Sequence, residues 1–182
     1  YPCGSTMPVC RFPGWFVEGG AQAIKRRLSD PKQRRRVIKF LEETHGTTLG
    51  HALWTYIGSN QNRNLEGMSW ADAATARGTS VAEMMCDILL EEDLECGLAV
   101  LPPKNVAISQ QIESDVMRLL ERNDYMVGSD SIPIGSFPHP RAFGTFPRIL
   151  GRLRRRHDYP IEQLIQRMTE NPARRFGITG RG

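Results

Sequence analysis

The chain has 182 residues, 40% hydrophobic and 24% charged, with a formal net charge of +4. That length bounds one domain, or one domain with a small insertion. No apolar run approaches the about 20 residues that cross a bilayer, which argues against a membrane-spanning helix. Its cysteines, Cys3, Cys10, Cys86 and Cys96, form no C-x-x-C pair, so a structural zinc site of that kind has no support. Free thiols and a polar start, Tyr1-Pro-Cys-Gly-Ser, lead to the expectation of a cytoplasmic protein with no signal peptide. Met7 is the first methionine, so the sequence reads as processed or cut from something longer.

Residues 1–14 carry prolines and glycines without a period and read as loop. A helix is predicted from near Gly20, with Ala23, Ile24 and Leu28 as its apolar stripe. Asp30 and Pro31 suit the cap and first turn of a second helix, which runs to about Thr44 and stops at Gly46. Ala52 to Ile57 is aromatic and β-branched and predicts a strand. Ser69 caps a helix to about Ala76, closed by Gly78. Ser80 with Glu83 forms a capping box before the stripe Val81, Met84, Met85, Ile88 and Leu89, which reads as core. Cys96 to Leu101 predicts a strand, Ser109 to Arg122 a helix, and Tyr125 to Gly128 a third strand leading to Asp130. Further helices are predicted at about 146–156, 160–170 and 172–176. This strand–helix alternation is α/β patterning with a parallel sheet. Three strands are too few for an eight-stranded barrel, which needs about 200 residues or more.

On a strand, Met126, Gly128 and Asp130 would project to one side, with Asp130 at the C-terminal tip, where barrel enzymes keep catalytic acids. An ionised aspartate there can bind a metal or take a proton from an activated water. The competing reading is a local turn, because Asp130 sits between two serines. His139, fixed between Pro138 and Pro140, is a candidate for loop support or for an ordinary structural hydrogen bond. Arg141 and Arg148 could each clamp a carboxylate. The histidines His45, His51, His139 and His157 make no H-x-H or H-E-x-x-H, and no phosphate loop or dinucleotide signature is present. Arg34 to Arg36 and Arg152, Arg154, Arg155 and Arg156 concentrate the positive charge. They read as solvated helix faces or as phosphate contacts.

Gly128-Ser-Asp130, Pro138-His-Pro-Arg141, Gly144-Thr-Phe-Pro-Arg148 and Leu150-Gly151 together resemble the C-terminal barrel region of the N-acyl-D-amino-acid deacylases (D-aminoacylases) of the amidohydrolase superfamily. Met168-Thr169, Pro172-Ala-Arg174, Phe176-Gly177, Tyr1-Pro2 with Gly4-Ser5-Thr6, and the helix Trp70 to Gly78 extend the match. The resemblance implies the last strands and helices of a metal-dependent (β/α)8 barrel, with a mainly helical insertion at about 13–95. It implies hydrolysis of N-acyl-D-amino acids, with zinc as the metal and no nucleic-acid or membrane partner. Asp130 then matches the aspartate that contacts the metal and transfers the proton, and Tyr1 and Ser5 match residues that hold the substrate carboxylate. The family's other metal ligands fall outside these residues. A fragment lacking them is expected to be inactive alone, with zinc weakly held or absent, and the rest of the barrel becomes its partner. Leu101-Pro-Pro-Lys104 and Cys3 depart from the family pattern. Two other readings stand beside this one: a cyclic-amide hydrolase of the dihydropyrimidinase or hydantoinase kind, and a non-catalytic basic binding module.

Overall fold

Asp30, Pro31 and Gly46 bracket a helix as their chemistry requires. In the computed structural model, which describes residues 4–180, Asp30 Oδ1 accepts from the amides of Lys32 (3.0 Å) and Gln33 (2.7 Å). This satisfies two of the donors left open at a helix start. The helices are α1 (Gly14–Val17), α2 (Gly20–Ser29), α3 (Pro31–His45), α4 (Trp70–Arg77), α5 (Val81–Glu91), α6 (Val106–Leu120), α7 (Arg141–Arg148), α8 (Arg154–Arg156), α9 (Ile161–Met168) and α10 (Glu170–Arg175). The strands are β1 (Ser5–Thr6), β2 (Ala52–Ile57) and β3 (Cys96–Val100). The chain divides into two units. One holds the described residues up to Leu101 together with Ile134–His139; the other holds Pro102–Pro133 and the described residues from Pro140 on.

In the first unit β3 is the central strand, in the order β1-β3-β2. Its residues Cys96 to Ala99 are all buried, as befits a strand covered on both faces. Helix α5 begins with the predicted capping box, Ser80 and Glu83 each accepting the other's amide. Met84, Met85, Ile88 and Leu89 of α5 are fully buried in one cluster with Phe16, Leu28, Val37, Leu41, Trp54 and Trp70. The Trp54 and Trp70 rings lie 4.8 Å apart, a separation at which aromatic pairs attract beyond their buried area. The polar loop after β2 is held by the buried Glu92 carboxylate, which accepts from the Ser59 amide (2.6 Å), the Ser59 hydroxyl (2.8 Å) and the Asn62 amide group (2.6 Å).

The sheet corrects one expectation. Both β1 and β2 pair with β3 antiparallel, with Ala52 opposite Val100 and Ile57 opposite Cys96, where strand–helix alternation predicted a parallel sheet. The reason is parity. Two helices, α4 and α5, separate β2 from β3; one helix returns the chain for a parallel strand, and a second reverses it again.

Ile134–His139 forms a strap on this unit. Glu66 bridges it to β2: Oε1 accepts from the Ile57 amide and Oε2 from the Ser136 amide, each at 2.9 Å. Gly135 has φ +84°, and a Cβ there would overlap the Thr55 carbonyl, so only glycine permits this approach. The Phe137 ring lies against Gly67, where an added Cβ would stand 2.8 Å away.

The second unit is helical. Met117, Leu120, Ile149, Leu153, Tyr159 and Leu164 form its small core. Beside it the buried Glu113 carboxylate takes both Arg148 and Arg156. Helix α6 starts three residues earlier than predicted, because Asn105 Oδ1 accepts from the Ala107 amide (2.9 Å) and caps it. The next helix starts at Arg141 rather than Phe146. Pro147 lies inside it without a donor, and the following turn widens to a π-helix at Ile149–Leu153. The third predicted strand is absent. Tyr125 to Gly128 has no strand partner among the described residues, so Asp130 does not stand at a strand tip.

Two outcomes test these arrangements. Glu113→Ala removes the carboxylate that Arg148 and Arg156 share, and it should destabilise the chain by about 2–3 kcal/mol, most of it from the better buried Arg148 pair. An unchanged urea midpoint would contradict this. Burial pulls the Glu66 carboxyl up, but the Ser136 side chain, the Ile57 and Ser136 amides and Arg63 outweigh it and hold the group below its ordinary 4.5. The folded value is the lower one, so the strap's stabilisation is whole above 4.5 and is lost as the pH falls through the folded value. The Ser136 amide proton shift should titrate with a midpoint under 4.5, and not at all in Glu66→Gln; a midpoint above 4.5 would count against the bridge.

Candidate functional site

Asp130 lies in the irregular segment between α6 and α7. Its φ is +45°, the left-handed region that a short polar side chain tolerates. The carboxylate is 87% exposed, and its Oδ2 stands 3.2 Å from a terminal nitrogen of Arg141, itself 16% exposed. Arg141 is the first residue of α7, so the helix start fixes one partner and the loop presents the other. The pair leaves the carboxylate open to solvent and sets a guanidinium beside it.

The other candidates fall as follows. Arg141 and Asp130 are brought together. His139 is buried, 4% exposed, and belongs to the strap of the first unit. Ser5 lies on β1 with its backbone opposite Ala99. Tyr1 lies outside the described residues. The arginine clusters read as phosphate contacts are largely engaged within the chain. Arg34 pairs with Asp87 at 2.5 Å, the Arg36 guanidinium sits 4.0 Å over the Trp15 ring, and Arg156 serves Glu113.

A zinc ion does not fit the donors present. Among the described residues no three His, Cys, Asp or Glu side chains gather as a metal site, and a zinc centre takes at least three protein ligands. Asp130 offers one carboxylate, with a guanidinium beside it. Burial pushes the Cys86 and Cys96 thiols up to about 12, so neither supplies a thiolate.

Sequence reasoning missed the residues that hold the segment before Asp130. Asn171 Nδ2 donates to the carbonyls of Asn123 (2.8 Å) and Tyr125 (2.7 Å). The Arg167 carbonyl accepts from the Val127 amide (3.1 Å). Arg167 falls inside the predicted helix 160–170, and Asn171 falls between that helix and the one at 172–176. The one usable signal is Asn171 just before Pro172 in the first turn of α10, a place where a polar side chain turns back on nearby backbone.

No family model matches the chain. It is 42% identical over 83 residues to the D-aminoacylase of Alcaligenes xylosoxydans xylosoxydans, a match that covers 45% of this chain and 17% of that protein. Among solved structures, a D-aminoacylase described as defining a novel subset of amidohydrolases superposes with a TM-score of 0.61 at 27% identity. The N-acyl-D-glutamate deacylase of Bordetella bronchiseptica, solved with zinc and a phosphonate mimic of the tetrahedral intermediate, superposes with a TM-score of 0.63 at 26% identity. Each covers 100% of this chain and 28% of the solved one. The chain therefore spans under a third of the length of the proteins it matches. Likeness in sequence and in structure meets in one place: this chain is similar to a part of the D-aminoacylases and N-acyl-D-amino-acid deacylases, enzymes of the amidohydrolase kind.

Proposed function

We propose that the protein to which this chain contributes hydrolyses the amide bond of N-acyl-D-amino acids, and that Asp130 is its proton-transfer residue. The observation that carries this reading is the solvent-open Asp130 carboxylate held against Arg141. It lies in a chain that matches deacylases of known structure over its whole length. Asp130 takes a proton from the attacking water as the new C–O bond forms. It returns that proton to the amide nitrogen as the C–N bond breaks, so the amine leaves neutral and the carboxylate is regenerated. Arg141 orients the carboxylate, and Tyr1 and Ser5 take the substrate carboxylate. His139 supports the loop from within the strap.

In this reading the 182 residues are the closing part of a (β/α)8 barrel carrying an inserted segment at about 13–95, in a cytoplasmic enzyme. The zinc that accompanies the Bordetella relative needs ligands that this chain's described residues do not bring together. The chain alone is therefore inactive, and its partner is the remainder of the barrel.

The test is a graft. These 182 residues, placed in the matching segment of a D-aminoacylase, should give an enzyme that releases D-amino acids from N-acyl substrates. Asp130→Asn in that graft should lower kcat by about 10³-fold, within the range for loss of a general acid–base group. Near-native turnover by the variant would contradict the assignment.

A further inference from the structure

We infer that Asn171 and Arg167 are positioning residues for Asp130: they hold the turn at Asn123 and the irregular residues Tyr125 to Val127, which have no strand beside them among the described residues. The inference rests on the proposed role of Asp130, but its geometry stands apart from that role.

Tyr125 to Gly128 carries the pattern of a strand and has no strand beside it among the described residues. Tyr125 and Gly128 are exposed and Met126 and Val127 half-buried, so water meets part of this backbone and protein partners take the rest. The second unit supplies them from α9 and α10. Asn171 is 3% exposed. Its side-chain nitrogen has two protons and gives them to the carbonyls of Asn123 and Tyr125, two residues apart. Asn123 lies in a turn that the Tyr125 amide closes on the Arg122 carbonyl (3.2 Å), so one side chain ties that turn to the residue after it. The Asn171 oxygen accepts from Arg174 at 3.2 Å, which fixes which end of the amide faces the segment. The Arg167 carbonyl accepts from the Val127 amide, so the next open group along the chain is taken by backbone.

Arg167 completes the hold. It is fully buried, and its guanidinium donates to the Leu120 carbonyl (3.2 Å), Gln166 Oε1 (2.6 Å) and Asn123 Oδ1 (3.1 Å). None of these acceptors is a carboxylate. Leu120 is the last residue of α6, so the buried cation faces the negative end of that helix. Tyr159 donates to the same carbonyl at 2.6 Å. The end of α6 and the turn and irregular segment after it are thus fixed by these residues, and Asp130 follows Val127 by three residues. A hydrophobic role alone does not explain the arrangement, because every contact named runs through polar atoms.

The test uses Asn171→Asp, which keeps the volume and the acceptor but removes both donors, with Asn171→Ala as a second variant. In the 182-residue chain, hydrogen exchange at the Val127 amide should quicken about tenfold while amides within α9 hold their rates. In the deacylase graft, both variants should lower kcat by about 100-fold with KM within about twofold, as a misplaced catalytic group does. Exchange at Val127 unchanged in both variants overturns the hold itself. Faster exchange with kcat unchanged, where Asp130→Asn abolishes turnover, overturns the positioning role. If Asp130→Asn retains turnover, the reading of Asp130 falls, and the exchange measurement alone decides the hold.

Discussion

A backbone peptide group takes its partner from a strand, a side chain, a helix or water, and in this chain that choice separates segments of similar pattern. β3 has strands on both edges, with β1 on one side and β2 on the other. Tyr125 to Gly128, equally apolar in its short run, has no such neighbour. It is held by an asparagine side chain and one helix carbonyl. The loop that bears Asp130 begins where this hold ends.

The two units stabilise themselves differently. The first buries a broad apolar cluster, with a tryptophan pair at its centre and methionines of α5 filling around it. The second has a small apolar cluster and relies on buried charge: Glu113 between two arginines, and Arg167 against a helix end. Buried charges tolerate loss of a partner poorly, so this unit trades depth of core for defined geometry. It is the unit that carries Asp130 and Arg141.

The parts of the fold legible in sequence were those set by neighbours a few residues away. Asp30 before Pro31, Ser80 with Glu83, and Gly78 after Arg77 are local chemistry, and each stands where it was read. β2 and β3 were equally plain, because their aromatic and β-branched or small apolar runs end at turn residues. What was hidden depended on distant partners. Strand direction followed from counting two helices between β2 and β3. α6 begins at Val106 rather than Ser109, because Asn105 caps it and local pattern does not choose between two polar residues that can each start a helix. Tyr125 to Gly128 looked like a strand because a strand's pattern does not report whether a neighbour exists. For the site, Asp130 and Arg141 were each singled out in sequence but their pairing was not, and the left-handed backbone at Asp130, the Glu66 bridge and the Asn171 hold likewise involve contacts that no spacing announces.

An aspartate open to solvent, steadied by an arginine and set after a segment held by polar side chains, is suited to moving a proton at a reacting bond. The most direct measurement is chemical rescue in the deacylase graft, using Asp130→Ala, which removes the carboxylate and leaves room for a small one. If Asp130 carries the proton, added formate should restore turnover to the inactive variant in a saturable way, while leaving the unsubstituted graft unchanged. Turnover by Asp130→Ala at the unsubstituted rate without any added carboxylate would contradict the account.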